Sequence, residues 1–245
     1  MRGMSLSLVR FDMKSMLRDP MLGFAWLAPP LLLAALRYGL PAADDRLGDR
    51  FGISIAEHGS FALAFALQLV PLLLGMLAGF VMLEERDERL IACFAVTPLG
   101  KAGYVRHRLS LPLALALLWT VLLGFGSGLD EAGSLLTLSA SLLSAIQTPL
   151  YSLLLAAYAG NKIEGLAISK LAGLVVFAPA LAFFAPWPWQ VAGVILPGYW
   201  AAKLLAIGSG NGSDVVSALC AVSAGLSLTG LFFWQLYRMY ARKVE

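Results

Sequence analysis

Six apolar stretches recur along the chain, at about 21–40, 60–83, 109–128, 134–158, 165–184 and 215–237. As helices, each is long enough to cross a bilayer core of ~30 Å, and none contains an Asp or Glu. The polar connections between them are short. The pattern predicts an all-α, polytopic membrane protein: six transmembrane helices within residues 21–245 and no extramembrane domain. An intramembrane acid or histidine is the usual sign of proton or ion coupling. Transport through these spans would therefore have to draw its energy from elsewhere.

Two further stretches are apolar without being spans. Over residues 1–20, Leu6, Val9, Met13, Met16 and Leu17 share one sector at 100° per residue, with Arg10, Lys14 and Arg18 at i, i+4, i+8 beside them. That spacing predicts an interfacial amphipathic helix; the plainer reading is a charged flank that sets orientation. The run at 21–36 exceeds a signal-peptide core of ~7–15 residues, and no A-x-A site follows it, so it is read as a span. Residues 186–212 hold two short apolar runs parted by the helix-breaking pair Pro197-Gly198. A continuous crossing there would make seven spans and carry Arg238, Arg242 and Lys243 to the wrong side. Two readings fit. One is a helical hairpin on the outer face between helices 5 and 6, dipping or interfacial and floated by Trp187, Trp189, Tyr199 and Trp200; the other is a loop with anchoring aromatics.

Composition and charge sharpen this. Hydrophobic residues are 59% and charged residues 13% of the chain, against an ordinary ~45–50% and ~25%. Of the 18 Lys and Arg, only Arg37, Arg46, Arg50 and Lys203 fall on one side of the predicted membrane. An excess of Lys and Arg marks the cytoplasmic face, so both termini are expected inside, in a cell inner (cytoplasmic) membrane. A net charge of +3 gives no reason to expect nucleic acid as a partner. Cys93 and Cys220 lie toward opposite sides with no CxxC spacing, which implies neither metal nor disulfide.

The longest cytoplasmic connection, 84–108, reads EERDERLIACFAVTPLGKAGYVRHR. Glu85 and Arg89 stand at i, i+4, which extends the second span as a helix. Beyond it Ile91, Cys93, Phe94, Val96, Leu99 and Tyr104 would be stranded where water should be. An apolar patch rimmed by charge marks a partner site, and Thr97-Pro98 supplies a helix start, Thr as cap and Pro in the first turn. Alternatively these side chains tuck against lipid headgroups.

An interfacial N-terminal helix, a charged extension of span two, a V-T-P-L element and an outer hairpin before the last span together resemble the permease subunit of a type-2 ATP-binding-cassette exporter. Within that family the chain is similar to the fluoroquinolone-export permeases. The residues that carry the likeness are Leu83-Glu84-Glu85-Arg86-Asp87, Val96-Thr97-Pro98-Leu99, Tyr104 with Arg106 and Arg108, Asn161-Lys162-Ile163-Glu164-Gly165 with Lys170, and Pro197-Gly198-Tyr199-Trp200. The wider family has Gly-Thr and an acidic residue before the T-P element; this chain has Arg89, Leu90 and Ala92 there. The resemblance implies a nucleotide-binding ATPase subunit as partner, holding the ATP and Mg, with no cofactor bound by this chain. It also implies a second permease, a copy or a related paralogue. The coupling contact would be made by Phe94, Val96, Thr97, Pro98, Leu99 and Tyr104, and secondarily by Asn161, Lys162 and Glu164. The chain has no G-x-x-x-x-G-K-[ST] to cradle phosphate, consistent with a motor on a separate subunit and no enzyme activity of its own.

Polar groups inside the spans are few. Gln68 with Pro71 and Gln147 with Pro149 lie near mid-membrane, where a proline frees a carbonyl that needs a partner. They read either as lining of a substrate route or as interhelical hydrogen bonds holding the bundle. Pro197, Tyr199 and Trp200 of the hairpin are candidates for an outer gate. Arg37 and Lys170 are placed to snorkel, and Gly124, Gly126 and Gly128 suit close helix approach or a flexible exit. A hydrolase would need nucleophile and base in reach, and the two histidines, His58 and His107, fall on opposite faces. A non-transporting membrane scaffold that docks a cytoplasmic partner through 84–108 is the alternative function; an ATPase subunit encoded beside the chain would separate the two.

Overall fold

The structure, a computed structural model, describes residues 20–51, 54, 56–88, 100–129, 131–186, 188–210 and 214–244. The helix expected over 1–20, and Phe94, Val96, Thr97, Pro98 and Leu99 of the expected docking element, lie outside them. The described residues form eleven α-helices and no strand: α1 (Pro20–Ala34), α2 (Leu40–Phe51), α3 (Gly59–Asp87), α4 (Gly100–Gly126), α5 (Ser134–Ala145), α6 (Thr148–Tyr158), α7 (Lys162–Ala172), α8 (Ala178–Phe184), α9 (Gln190–Val194), α10 (Pro197–Gly208) and α11 (Val215–Val244). Five segments are long and apolar enough to cross a membrane: Gly59–Asp87, Gly103–Gly126, Ser134–Tyr158, Lys162–Phe184 and Val215–Lys243. The protein is thus an all-α polytopic bundle. The first expected span is helical too, but continues through a π-turn at Ala35–Gly39 into the polar helix α2, within what hydropathy marks only as a polar connection.

At the centre α3 lies against α6, and the sequence dictates how closely. Gly75 and Gly79 form a G-x-x-x-G face. Thr148, Ser152 and Ala156 form a matching small-residue stripe at spacing four on α6. A Cβ on Gly75 would sit 2.5 Å from the Thr148 carbonyl oxygen and 2.7 Å from Tyr151 Cβ; one on Gly79 would meet Leu155 Cβ at 2.8 Å. The Ser152 hydroxyl donates to the Gly75 carbonyl at 2.9 Å. Small residues that let backbones touch are what joins helices in lipid, where burial of apolar surface gives no drive. The spans outside this pair present Leu118, Leu122, Phe125, Leu171, Leu174, Leu219, Leu226 and Trp234 outward.

The fourth span is broken. Pro149 has no N–H to give the Ala145 carbonyl and cannot follow helical backbone comfortably, so α5 ends at Ala145 and α6 starts at Thr148. The loosened carbonyls are recovered locally: Thr148 Oγ1 donates to Ala145 at 2.7 Å and Gln147 Nε2 to Leu143 at 3.1 Å. At the junction of α4 and α5, Gly128 and Gly133 take φ of 76° and 86°, a region closed to most side chains. Gly124 packs on Ser141 and Thr137. Arg37, in the π-turn, donates to the terminal carbonyl of α4, Gly126, at 2.6 Å instead of simply snorkelling. Cations complement a helix C-terminus in this way.

Residues 190–208 form a helical hairpin, α9 and α10. It is packed into the bundle: Gly198 abuts the Gln68 carboxamide at one end of α10 and Gly208 abuts Ala132 at the other. Tyr199, expected as an interfacial anchor, is buried, its ring against Gly193 and edge-on to Trp200 at 5.5 Å. Trp189 remains exposed, and Trp187 is outside the described residues.

Gly75→Ala should lower thermal stability in detergent by ~1–3 kcal/mol, the usual cost of overpacking. Gly230→Ala, where an added methyl meets nothing within 4 Å, should leave the melting temperature unchanged or raise it. Equal melting temperatures for wild type and Gly75→Ala would remove the close α3–α6 contact from the account.

Candidate functional site

The Leu83-Glu84-Glu85-Arg86-Asp87 run ends α3, and its three central side chains point to three different neighbours. Glu84 Oε1 pairs with Lys162 Nζ of α7 at 2.8 Å, both side chains about half exposed; such a pair contributes ~0–1 kcal/mol. Glu85 is better enclosed. Its Oε2 accepts from the Tyr104 hydroxyl and its Oε1 from Arg108 Nη2, both at 2.5 Å, binding α3 to α4. Arg86 spreads over the end of α6, donating to the carbonyls of Ala156 at 3.2 Å, Ala159 at 2.8 Å and Gly160 at 3.0 Å. The last carbonyls of a helix lack intrahelical partners, and a guanidinium with five donors in a rigid fork suits them.

The next turn is fixed by a capping box. Asn161 Oδ1 accepts from the Glu164 N–H at 2.9 Å, and Glu164 Oε2 reaches back to the Gly160 N–H at 2.6 Å. Hence four of the expected coupling residues, Tyr104, Asn161, Lys162 and Glu164, gather around the end of α3. Tyr104 is not stranded at the surface as expected. It is buried with Met82, Val105, Leu109, Leu153, Leu236 and Tyr240, because its ring has a hydrophobic pocket and its hydroxyl has Glu85. The apolar side chain most exposed at this end is Ile163, 80% exposed, the highest among the exposed large hydrophobics of the described residues. Its place between Asn161 and Glu164 singles it out where hydropathy could not.

Deeper in the bundle, Gln68 Nε2 donates to Gln147 Oε1 at 3.1 Å and contacts the Tyr151 hydroxyl. Both glutamines are fully buried. This geometry is that of an interhelical network. Gln68 Oε1 is buried without a hydrogen-bond partner among the described residues, and it faces Gly198 at the tip of the hairpin. Of the other two route candidates, Pro71 is buried within α3. Pro149 lies in the floor of a groove of about 350 Å³ between α4 and α11. Tyr151 had no part in the sequence reading; its spacing of four from Gln147 was the available signal.

Gln190 closes the hairpin: its Nε2 donates to the Ala185 carbonyl at 2.9 Å, while its Oε1 accepts from the Tyr199 hydroxyl at 3.1 Å and Lys203 Nζ at 3.0 Å. Trp200 Nε1 donates to the Val194 carbonyl at 3.0 Å. Pro197, Tyr199 and Trp200 therefore stand together where α10 begins, around Gly198, which abuts Gln68.

A polytopic helical bundle with a short helical hairpin packed on its central helix and a charged clasp at that helix's end has the build of a membrane permease. The description "fluoroquinolones export permease protein Rv2686c-like" matches residues 12–237, and the chain belongs to that family. Two curated relatives in Mycobacterium tuberculosis are the fluoroquinolones export permease proteins Rv2686c of strain ATCC 25618 / H37Rv and MT2760 of strain CDC 1551 / Oshkosh. Each is 28% identical over 207 residues, covering 83% of this chain and 82% of the relative. No solved structure matches the chain.

A double-mutant cycle over Glu85→Gln and Arg108→Gln should show a coupling of ~1.5–3 kcal/mol, the range for hydrogen bonds to charged groups. The same cycle over Glu84→Gln and Lys162→Gln should give under ~1 kcal/mol. Unfolding of the purified protein, followed by intrinsic fluorescence, measures both; equal couplings would contradict the difference in enclosure.

Proposed function

We propose that this exporter permease is the membrane subunit of an ATP-driven machine that moves a hydrophobic or amphiphilic compound out of the cytoplasm. ATP is hydrolysed in a separate nucleotide-binding subunit docked at the Glu84–Arg86 end. The chain sits in the inner membrane with six spans, both termini and the clasp cytoplasmic, and works as a pair with a second permease. The single observation behind this reading is the three-way clasp. A load applied at the α6–α7 turn, where Ile163 protrudes, or at the 94–104 element is passed by Lys162 to Glu84, by the Gly160 and Ala159 carbonyls to Arg86, and by Tyr104 and Arg108 to Glu85. All three routes converge on α3. Its rigid contact with α6 carries the movement to Gln68, where Gly198 and the hairpin lie over it, so Pro197, Tyr199 and Trp200 serve as the gate.

The absence of acids from the spans supports a motor outside the membrane. A pocket for a drug-sized compound needs ~300–1,000 Å³, and pairing two bundles is a common way to build a larger shared site. What the relatives' names say they export supports an antibiotic-like amphiphile as cargo.

Three measurements test this. Phe94→Asp with Leu99→Asp, and separately Ile163→Asp, should each abolish co-purification of the ATPase subunit without impairing membrane insertion; retained complex in both would argue for the scaffold alternative or a different interface. In sealed vesicles, efflux should follow ATP and ignore an imposed pH gradient, whereas efflux driven by the gradient without nucleotide would refute the mechanism. On a background lacking Cys93 and Cys220, a cysteine at Gly210 should react with an impermeant thiol reagent from outside and one at Lys243 should not. The reverse at Lys243 means an odd number of spans.

A further inference from the structure

α4 and α11 both pack on α6, and beside their shared core they leave a groove of about 350 Å³ floored by Pro149. Its lining is ordered along the bundle axis. Toward the charged end stand Arg106 and Ser110 of α4 and Tyr237 of α11; deeper lie Leu113, Phe233 and Pro149. Arg106 and Leu113 are seven residues apart, about 10 Å of helix rise. Phe233 and Tyr237 are stacked at 6.2 Å with a 15° interplanar angle, forming one continuous wall. The groove therefore has a cationic, hydroxyl-bearing end and an apolar end.

Arg106 is exposed and has no hydrogen bond or ion pair among the described residues. Five other basic residues at this end are committed. Arg108 is held by Glu85, Lys162 by Glu84 and Arg86 by the α6 carbonyls, while Lys243 donates to the Tyr158 carbonyl at 3.4 Å. Arg238 lies 4.3 Å over the Trp234 ring, a pairing of cation and indole at home at a membrane interface. It marks the headgroup level at Tyr237, its immediate neighbour on α11, with Phe233 about one turn deeper. Beyond the groove both helices present apolar side chains outward, Leu118 and Leu122 on α4 and Leu226 and Leu231 on α11. An acyl chain can thus enter sideways from the bilayer.

We propose that this groove is a binding site for an anionic phospholipid, its phosphate on Arg106 and the Tyr237 hydroxyl, with Ser110, whose hydroxyl donates to the His107 carbonyl at 2.7 Å, only lining the head end, and one acyl chain along Leu109, Leu113 and Phe233 over Pro149. This rests on the membrane orientation given above. The axial order of the lining matches a lipid standing in the leaflet on the clasp side, head toward the clasp and tail toward the bundle centre. Such a lipid wedges α4, which carries Tyr104 and Arg108, against α11. Basic grooves between helices near a cytoplasmic face suit anionic headgroups.

The test uses the purified full chain in a neutral detergent, titrated with phosphatidylglycerol or with phosphatidylcholine of the same acyl chains. Binding is read by native mass spectrometry and by melting temperature. Phosphatidylglycerol should bind about fivefold more tightly, the scale of one basic residue near an anionic headgroup. Arg106→Gln should abolish that preference while keeping the melting temperature measured without added lipid, and Arg238→Gln should retain it. Leu113→Trp, filling the apolar end, should weaken both lipids. A preference that survives Arg106→Gln, or no preference in the wild type, overturns the proposal. Equal protection by inorganic phosphate alone would overturn it in favour of a free-anion site, and competition by an amphiphilic drug that depends on Arg106 would reassign the groove to cargo. None of these readings needs nucleotide or transport, so failure here and failure of ATP-driven export are separately visible.

Discussion

The close approach of α3 to α6 is the contact on which the rest of the bundle depends. In lipid, apolar side chains gain nothing by leaving their surroundings, so helices are joined by packing and by polar bonds. Gly75 and Gly79 provide the packing: the Thr148 and Ser152 backbone occupies the space their Cβ atoms would need. Polar bonds then fasten both ends of the same pair. Gln68 reaches Gln147 and Tyr151 at one end, and Arg86 takes the terminal carbonyls of α6 at the other. A helix pair pinned at both ends and touching in the middle behaves as one beam. The remaining helices are arranged around it, with α4 and α7 fixed to its charged end and α10 laid over its Gln68 end.

The break in the fourth span belongs to the same arrangement. A proline in mid-bundle disturbs the backbone around Ala145, and carbonyls in hydrocarbon cannot be left to water. Thr148 and Gln147 satisfy them from within the break itself. The same displacement turns Gln147 Oε1 toward Gln68. One proline thus accounts for both the discontinuity and the orientation of a polar group that crosses to the neighbouring helix.

Much of this was legible in the sequence, and what was not shares a cause. The spans at 60–83, 134–158, 165–184 and 215–237 were visible because their length is set by the bilayer and not by neighbouring residues. The helical hairpin showed in the runs on either side of Pro197-Gly198. Tyr104 and Tyr199 were misjudged because an aromatic residue near a span end reads as interfacial by position alone. Each is buried by a partner that position relative to a span does not reveal, Glu85 nineteen residues back for one and Gln190 with Gly193 across the hairpin for the other. The Gly75–Gly79 spacing carried its own signal, passed over because hydropathy gives glycine no weight. The helix α2 was hidden by its polarity, since its residues resemble a loop in composition. Arg86 illustrates the general limit: its charge marks a membrane face, but nothing local says that three carbonyls seventy residues away await it.

Gln68 shows where the beam is least settled. Its Oε1 is buried and lacks a hydrogen-bond partner among the described residues, a condition that costs about 1–3 kcal/mol. Beside it is the tip of α10, and the first turn of any helix carries N–H groups without intrahelical partners. Gly198 is the residue that allows so close an approach, since a side chain there would collide with the Gln68 carboxamide. A small displacement of the hairpin along its own axis changes which donor faces that oxygen, while the Gln68–Gln147 bond stays within the beam. The hairpin rests against the beam at an imperfectly paired polar contact; at the clasp end Glu84, Glu85 and Arg86 each have partners, while the Tyr240 hydroxyl behind Tyr104 is buried without a hydrogen-bond partner among the described residues. Each end of the beam thus keeps one buried polar atom in reserve, and at the hairpin end that atom lies where two elements meet rather than inside one packed cluster.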